Sequence, residues 1–257
     1  MISNILNILS LVLGVVAAIY WWRNGQSVGK GFGFTFGASA LGDFGAGLLI
    51  TFIGMLGIFL VELLLGVIRI TGIGLLPDVF IRGLTLFTIG AIYEELIFRA
   101  FLLSGLNILL GGRKWIAILL SAVVFGVVHL GNPGASPISA FGNALGGIIY
   151  GMAFLGGRNI WLPLGLHFSW NFSQGPLLGF PVSGYDYAAI IMQQTTGSDL
   201  VTGGAYGPEA GLVGMFFRFV IMAMVLFYLQ RRARGQGNPK TLDYPIPAYE
   251  NPNQSRE

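Results

Sequence analysis

The sequence predicts an all-α fold, a polytopic bundle of about seven membrane-spanning helices with a cavity inside the membrane. Three observations carry that prediction. Of the 257 residues, 54% are hydrophobic and only 10% charged, whereas a soluble domain carries about 25% charged residues. Apolar stretches of spanning length recur along most of the chain. The basic residues fall mostly in the short gaps between those stretches, as topology signals do.

The first apolar run, residues 2–22, lacks the basic leader and small-residue cleavage site of a secretory signal peptide, so it reads as a retained helix. The glycine-rich stretch from Gly29 to Gly47 has neither a preceding strand nor the Lys-Ser/Thr pair of a phosphate loop, and reads as a flexible connector. Further spans follow at about 45–68, 80–108, 115–130, 138–156, 160–178 and 211–230. The third is longer than a span needs and is expected to tilt or break, while the fourth is short and ends at Gly131, Asn132 and Pro133. Gly142 with Gly146, and Gly147 with Gly151, repeat the small-xxx-small spacing of close helix packing. Residues 1–234 are therefore expected to form one transmembrane domain, and 235–257, mixed in Gly, Asn, Pro and charge, a disordered polar tail.

Placing the C-terminus in the cytoplasm gathers Arg23, Lys30, Arg113, Lys114, Arg158, Arg231, Arg232, Arg234, Lys240 and Arg256 on one side. Only Arg69 and Arg82 remain for the other, which gives an N-out, C-in orientation. Residues 182–211, with three acidic residues and no Lys or Arg, fit an outside loop. The net charge of +3 is thus explained by topology, and no nucleic-acid partner is expected. The chain has no cysteine, which removes disulfides, thiolate ligands and a cysteine nucleophile.

An ionisable side chain at the middle of a membrane costs on the order of 2.5–3.5 kcal/mol even on lenient scales, so each one needs a reason. The third span contains Glu94, Glu95 and Arg99 within two turns. Glu95 and Arg99, four apart, share a face, while Glu94 points about 100° away. Arg99 can therefore neutralise one carboxylate while the other faces a cavity, and two carboxylates in two environments can do two jobs. The chain's two histidines, His129 and His167, both lie in apolar helices, and Asn171 follows His167 by one turn. Ser169, Ser173 and Gln174 make the sixth span too polar to face lipid. Glu62 and Arg218 are also embedded, each alone in its span, and read as inter-helix partners, with each other among the candidates.

Glu94-Glu95-x-x-x-Arg99, Phe125-x-x-x-His129 and His167-x-x-x-Asn171, in that order on successive apolar helices, resemble the three signature motifs of the CPBP intramembrane metalloproteases. That family includes CAAX prenyl endopeptidases and bacterial Abi-type, bacteriocin-processing relatives. The resemblance covers about residues 80–180. It implies that Glu94 and His129 activate the attacking water, that His167 and Asn171 stabilise the oxyanion, and that Glu95 and Arg99 hold the site in shape. It leaves open a zinc ion on Glu94, His129 and His167, or a metal-free glutamate mechanism. Either version is sound chemistry: two imidazoles and a carboxylate suit a catalytic zinc, and the same groups suit general-base catalysis. The expected partner is a peptide or protein substrate in or near the lipid bilayer, and the expected location a bacterial plasma membrane. Two other classes fit the buried charges: a non-enzymatic immunity factor or scaffold, and a proton-coupled transporter.

Overall fold

In a computed structural model, which describes residues 2–74 and 77–235, the chain folds as a helical bundle with one small β-ladder. In chain order the elements are α1 (Ile2–Arg23), α2 (Val28–Gly31), α3 (Ala38–Leu64), β1 (Ile68–Ile73), α4 (Pro77–Glu95), α5 (Ser104–Leu109), α6 (Lys114–Val128), α7 (Pro137–Gly157), α8 (Trp161–Phe172), β2 (Ile191–Thr195), α9 (Asp199–Thr202) and α10 (Leu212–Gly235). The polar tail falls almost wholly outside the described residues, and α10 runs one residue past the expected boundary.

All seven apolar segments are helical, but they are not equal. Among the described residues five helices, α1, α3, α6 with the 3-10 turn that extends it to Gly131, α7 and α10, are long and apolar enough to cross a membrane by themselves. The third segment, expected to tilt or break, stays helical throughout but changes its ladder: α4 passes into a π-helical stretch at Leu96–Leu103 before α5. The sixth changes likewise, with α8 giving way to a π-helical turn at Ser173–Leu177 that contains Pro176. Proline has no amide hydrogen to donate, so a regular helix cannot continue through it. These two segments are the ones that carry Glu94, Glu95, His167 and Asn171.

Many large apolar side chains are exposed. Ile5, Ile8, Val12 and Ile19 on α1, and Phe216, Phe219 and Phe227 on α10, face outward, the surface expected of a multi-pass protein in lipid. Helix α7 is the innermost span, and its glycines make that burial feasible. A Cβ at Gly147 would lie 2.8 Å from the Ala122 Cα on α6, and one at Gly151 would meet Ile118. The helix starts on a reciprocal cap between Ser136 and Ser139, with Pro137 in its first turn.

Three local readings are corrected. The connector ends at Gly37, because α3 begins at Ala38, well inside the glycine-rich stretch. Buried Asp43 anchors it there, accepting hydrogen bonds from the Tyr228 hydroxyl at 2.7 Å and from Asn159, and pairing with Arg232 at 2.9 Å. The second span stops at Leu64 rather than 68: Gly66 turns the chain at φ +70, and Ile68–Ile73 pairs antiparallel with Ile191–Thr195. The fold is thus not purely α-helical, and residues 182–211 are not simply a loop. They carry β2, α9 and two 3-10 turns, Gly204–Tyr206 and Pro208–Ala210.

Candidate active site

Glu94 and Glu95 end α4, just before the helix widens into its π-helical stretch. Their environments differ as their angular separation predicts. Glu95 is fully buried, whereas the Glu94 side chain is 29% exposed and lines a cavity of about 310 Å³. Glu95 Oε1 accepts from His167 Nδ1 at 2.7 Å and lies 3.3 Å from Arg99 Nη1. Arg99 is itself buried over the rings of Phe125 (4.3 Å) and Tyr150 (5.0 Å), contacts that offset part of the cost of enclosing a cation. A π-helical segment beside a functional group is a common arrangement, since the wider ladder re-aims side chains without ending the helix.

His129 closes α6, where a 3-10 turn at His129–Gly131 follows. Its Nδ1 lies 2.7 Å from the Phe125 carbonyl oxygen. A carbonyl can only accept, so Nδ1 carries the hydrogen and the neutral ring presents a lone pair at Nε2. That Nε2 is 3.9 Å from Glu94 Oε2. His167, near the middle of α8, points its own Nε2 at the same oxygen from 3.7 Å. Its ring lies nearly parallel to that of Tyr150, with centroids 4.8 Å apart and planes 14° apart. Asn171 lines the same cavity one turn further on.

His129 sits at a helix end and His167 well inside α8, yet both approach the same Glu94 oxygen. All six residues singled out in the sequence meet in one region: Glu94, His129, His167 and Asn171 on the cavity, and Glu95 and Arg99 directly behind His167.

As for zinc, each imidazole is held through Nδ1 by an oxygen, the backing that metal-binding histidines usually have. Among the described residues, however, no three His, Asp or Glu side chains stand as a group that could hold an ion. As arranged, Glu94, His129 and His167 do not fit a closed set of ligands.

The far wall of the cavity holds residues that the motifs do not contain: Tyr150, Trp170, Glu209 and Arg218. Arg218 does not pair with Glu62, both of whose carboxylate oxygens lack a hydrogen-bond partner. Instead its guanidinium lies 3.5 Å over the Trp170 ring. Glu209 is buried in the 3-10 turn Pro208–Ala210, accepting from Gln174 Nε2 (2.7 Å) and Ser183 Oγ (3.1 Å). Burial pushes its carboxyl above the usual carboxylate range, while the Arg218 charge pulls the other way. The signal for Arg218 was present in the sequence, as a lone cation in an apolar span. Glu209 gave none, because its loop resembled any other polar connection.

Residues 76–173, which hold all six motif residues, match the family described as Type II CAAX prenyl endopeptidase Rce1-like. That match, over 98 of the 257 residues, supports a membrane protease of the CPBP family. The matched segment runs from the start of α4 to the end of α8 and agrees closely with the extent of the motif resemblance. The family's description is that of a membrane endopeptidase, and the five long apolar helices among the described residues support an integral multi-pass membrane protein. Arg218 and Glu209 lie outside the matched residues. Comparison with curated proteins and with solved structures returned no match.

Proposed function

We propose that this protein is an intramembrane endopeptidase that hydrolyses a peptide bond in a membrane-held substrate, with Glu94 and His129 activating the water. One observation carries the reading: Glu94 Oε2 lies within 4 Å of Nε2 on both His129 and His167. These gaps are too wide for direct hydrogen bonds and suit a water or a reacting oxygen lying between the groups. Three separate helices supply the three residues, so no local packing need explains the convergence.

The chemistry follows from the hydrogen-bond directions. Glu94 takes a proton from water, with the His129 Nε2 lone pair as second acceptor. The resulting hydroxide attacks the scissile carbonyl carbon. His167 already donates through Nδ1 to Glu95, so in its charged form its Nε2 donates to the oxyanion together with the Asn171 carboxamide. The proton held by Glu94 then passes to the leaving nitrogen, the C–N bond breaks, and a carboxylic acid and an amine leave. Each step uses only this chain's own groups.

The family's description names prenylated substrates. A separate, almost wholly apolar groove of about 680 Å³ between α3, α4 and α8 is a fitting place for such a chain. The family match favours peptidase activity over the transporter and immunity-factor readings. The test compares membrane proteomes from cells carrying wild-type and Glu94→Ala protein. A new N-terminus that appears only with wild type is the expected result, and its absence overturns the reading. Elemental analysis and chelation of the same active preparation decide the ion: activity with far less than about one zinc per chain assigns the reaction to Glu94 and His129 alone.

A further inference from the structure

The charges lining the cavity are unevenly matched. Glu94 faces two imidazoles, and Glu95 behind it has Arg99 and His167. Arg218 is only 3% exposed, yet no carboxylate among the described residues comes within 4 Å of it. Glu209 shares its wall of the cavity, but the Glu209 oxygens already receive Gln174, Ser183 and, at 3.5 Å, the Trp170 indole. The Trp170 ring supports the cation from one face without supplying an acceptor oxygen. Arg218 Nε has no partner at all. A buried guanidinium so placed retains most of its capacity for an anion, and its planar fork matches a carboxylate in two-point geometry.

The seat for this group is built into the neighbouring helix. A Cβ at Gly146 on α7 would come within 2.3 Å of Arg218 Nη1, and one at Gly142 would overlap the Glu209 carbonyl oxygen. The Gly142/Gly146 pair therefore makes room for the far wall of the cavity, while Gly147 and Gly151 serve the contact with α6. The Tyr150 hydroxyl also meets Arg218, and the Tyr150 ring lies against His167. The guanidinium and the proposed reacting groups thus belong to one continuous surface.

We propose that Arg218 is the carboxylate-binding subsite of this cavity, taking either the C-terminal carboxylate or an Asp or Glu side chain of a bound peptide and so setting which bond reaches Glu94. The proposal rests on the peptidase reading for its biological sense, but binding alone can test it. Full-length Glu94→Gln protein in detergent, which cannot turn substrate over, is titrated with three probes. These are acetyl-Leu-Ala-Leu as the free acid, the same peptide as its C-terminal amide, and acetyl-Asp-Ala-Leu as the amide. One of the two carboxylate probes is expected to bind at least about tenfold more tightly than the neutral amide, and which one does so identifies the source of the carboxylate. Adding Arg218→Gln should abolish the preference, and Arg218→Lys should keep part of it. Gly146→Ala, which keeps the charge but crowds its seat, should also reduce the preference, and this variant decides the matter if Arg218→Gln does not fold. Equal affinity for all three probes, no binding of any, or a preference that survives Arg218→Gln overturns the proposal. Because no cleavage is read, failure of the Glu94-dependent cleavage experiment and failure of this one are separate results.

Discussion

Glu94 and Glu95 are adjacent in sequence and the same in chemistry, yet the fold gives them opposite surroundings. Glu95 is enclosed, with Arg99 on one side and the His167 ring on the other, while Glu94 opens on the cavity. Removing one member of a buried ion pair leaves the other charge without compensation and costs about 3–5 kcal/mol. Arg99→Ala should accordingly reduce the yield of folded protein, read as monodisperse material by size exclusion in detergent. Glu94→Gln keeps the shape of a side chain that is already part-exposed and should leave that yield nearly unchanged while cleavage is lost. Equal loss of folded protein in both variants would assign the whole motif a structural role.

At the level of elements, the site depends on how closely α6 and α7 approach. His129 closes α6 and Tyr150 lies on α7, so any separation of these helices moves His129 relative to His167. The contact is made by Gly147 against Ala122, where even one added carbon would lie 2.8 Å from the Ala122 Cα. Gly147→Val forces the helices apart and should destabilise the protein by about 1–3 kcal/mol, the usual range for overpacking. The matching observation is a lowered thermal unfolding midpoint in detergent. Substitution at Gly90, where a Cβ would meet nothing within 4 Å, is the control and should leave the midpoint unchanged. The π-helical stretches act at this scale too, since each follows directly on the residues that face the cavity.

Over the whole molecule the polar features separate towards the two ends of the bundle. At one end Asp43, Asn159 and Arg232 tie α3 and α10 to the turn between α7 and α8. At the other, the β1–β2 ladder joins the chain after α3 to the segment between α8 and α10, and Arg69 donates to Gln194 across it. That division agrees with the sorting of basic residues in the sequence, and it gives a direct test of orientation. The chain contains no cysteine, so single replacements can be labelled without background. In intact cells a membrane-impermeant maleimide should label Ser198→Cys, beside the β-ladder, and should not label Asn24→Cys, at the end of α1. The reverse pattern would invert the topology.

The sequence by itself determined the helical membrane class, the approximate positions of seven apolar segments and the six motif residues. These are legible because lipid imposes a length and a composition on each span separately, and because a buried charge stands out against an apolar background. The different surroundings of Glu94 and Glu95 followed from helical periodicity alone. Features that rest on contacts between distant residues were decided only by the tertiary structure. The β-ladder joins Ile68 to Thr195, and a short apolar run next to a span cannot be told from the span's own end by periodicity. Arg218 looked like a partner for Glu62, and only packing shows it against Trp170 and the Gly146 seat. Glu209 enters the cavity wall because a loop folds back over α7 at Gly142. No property of its own segment announces this, since its burial is supplied by side chains from elsewhere in the chain.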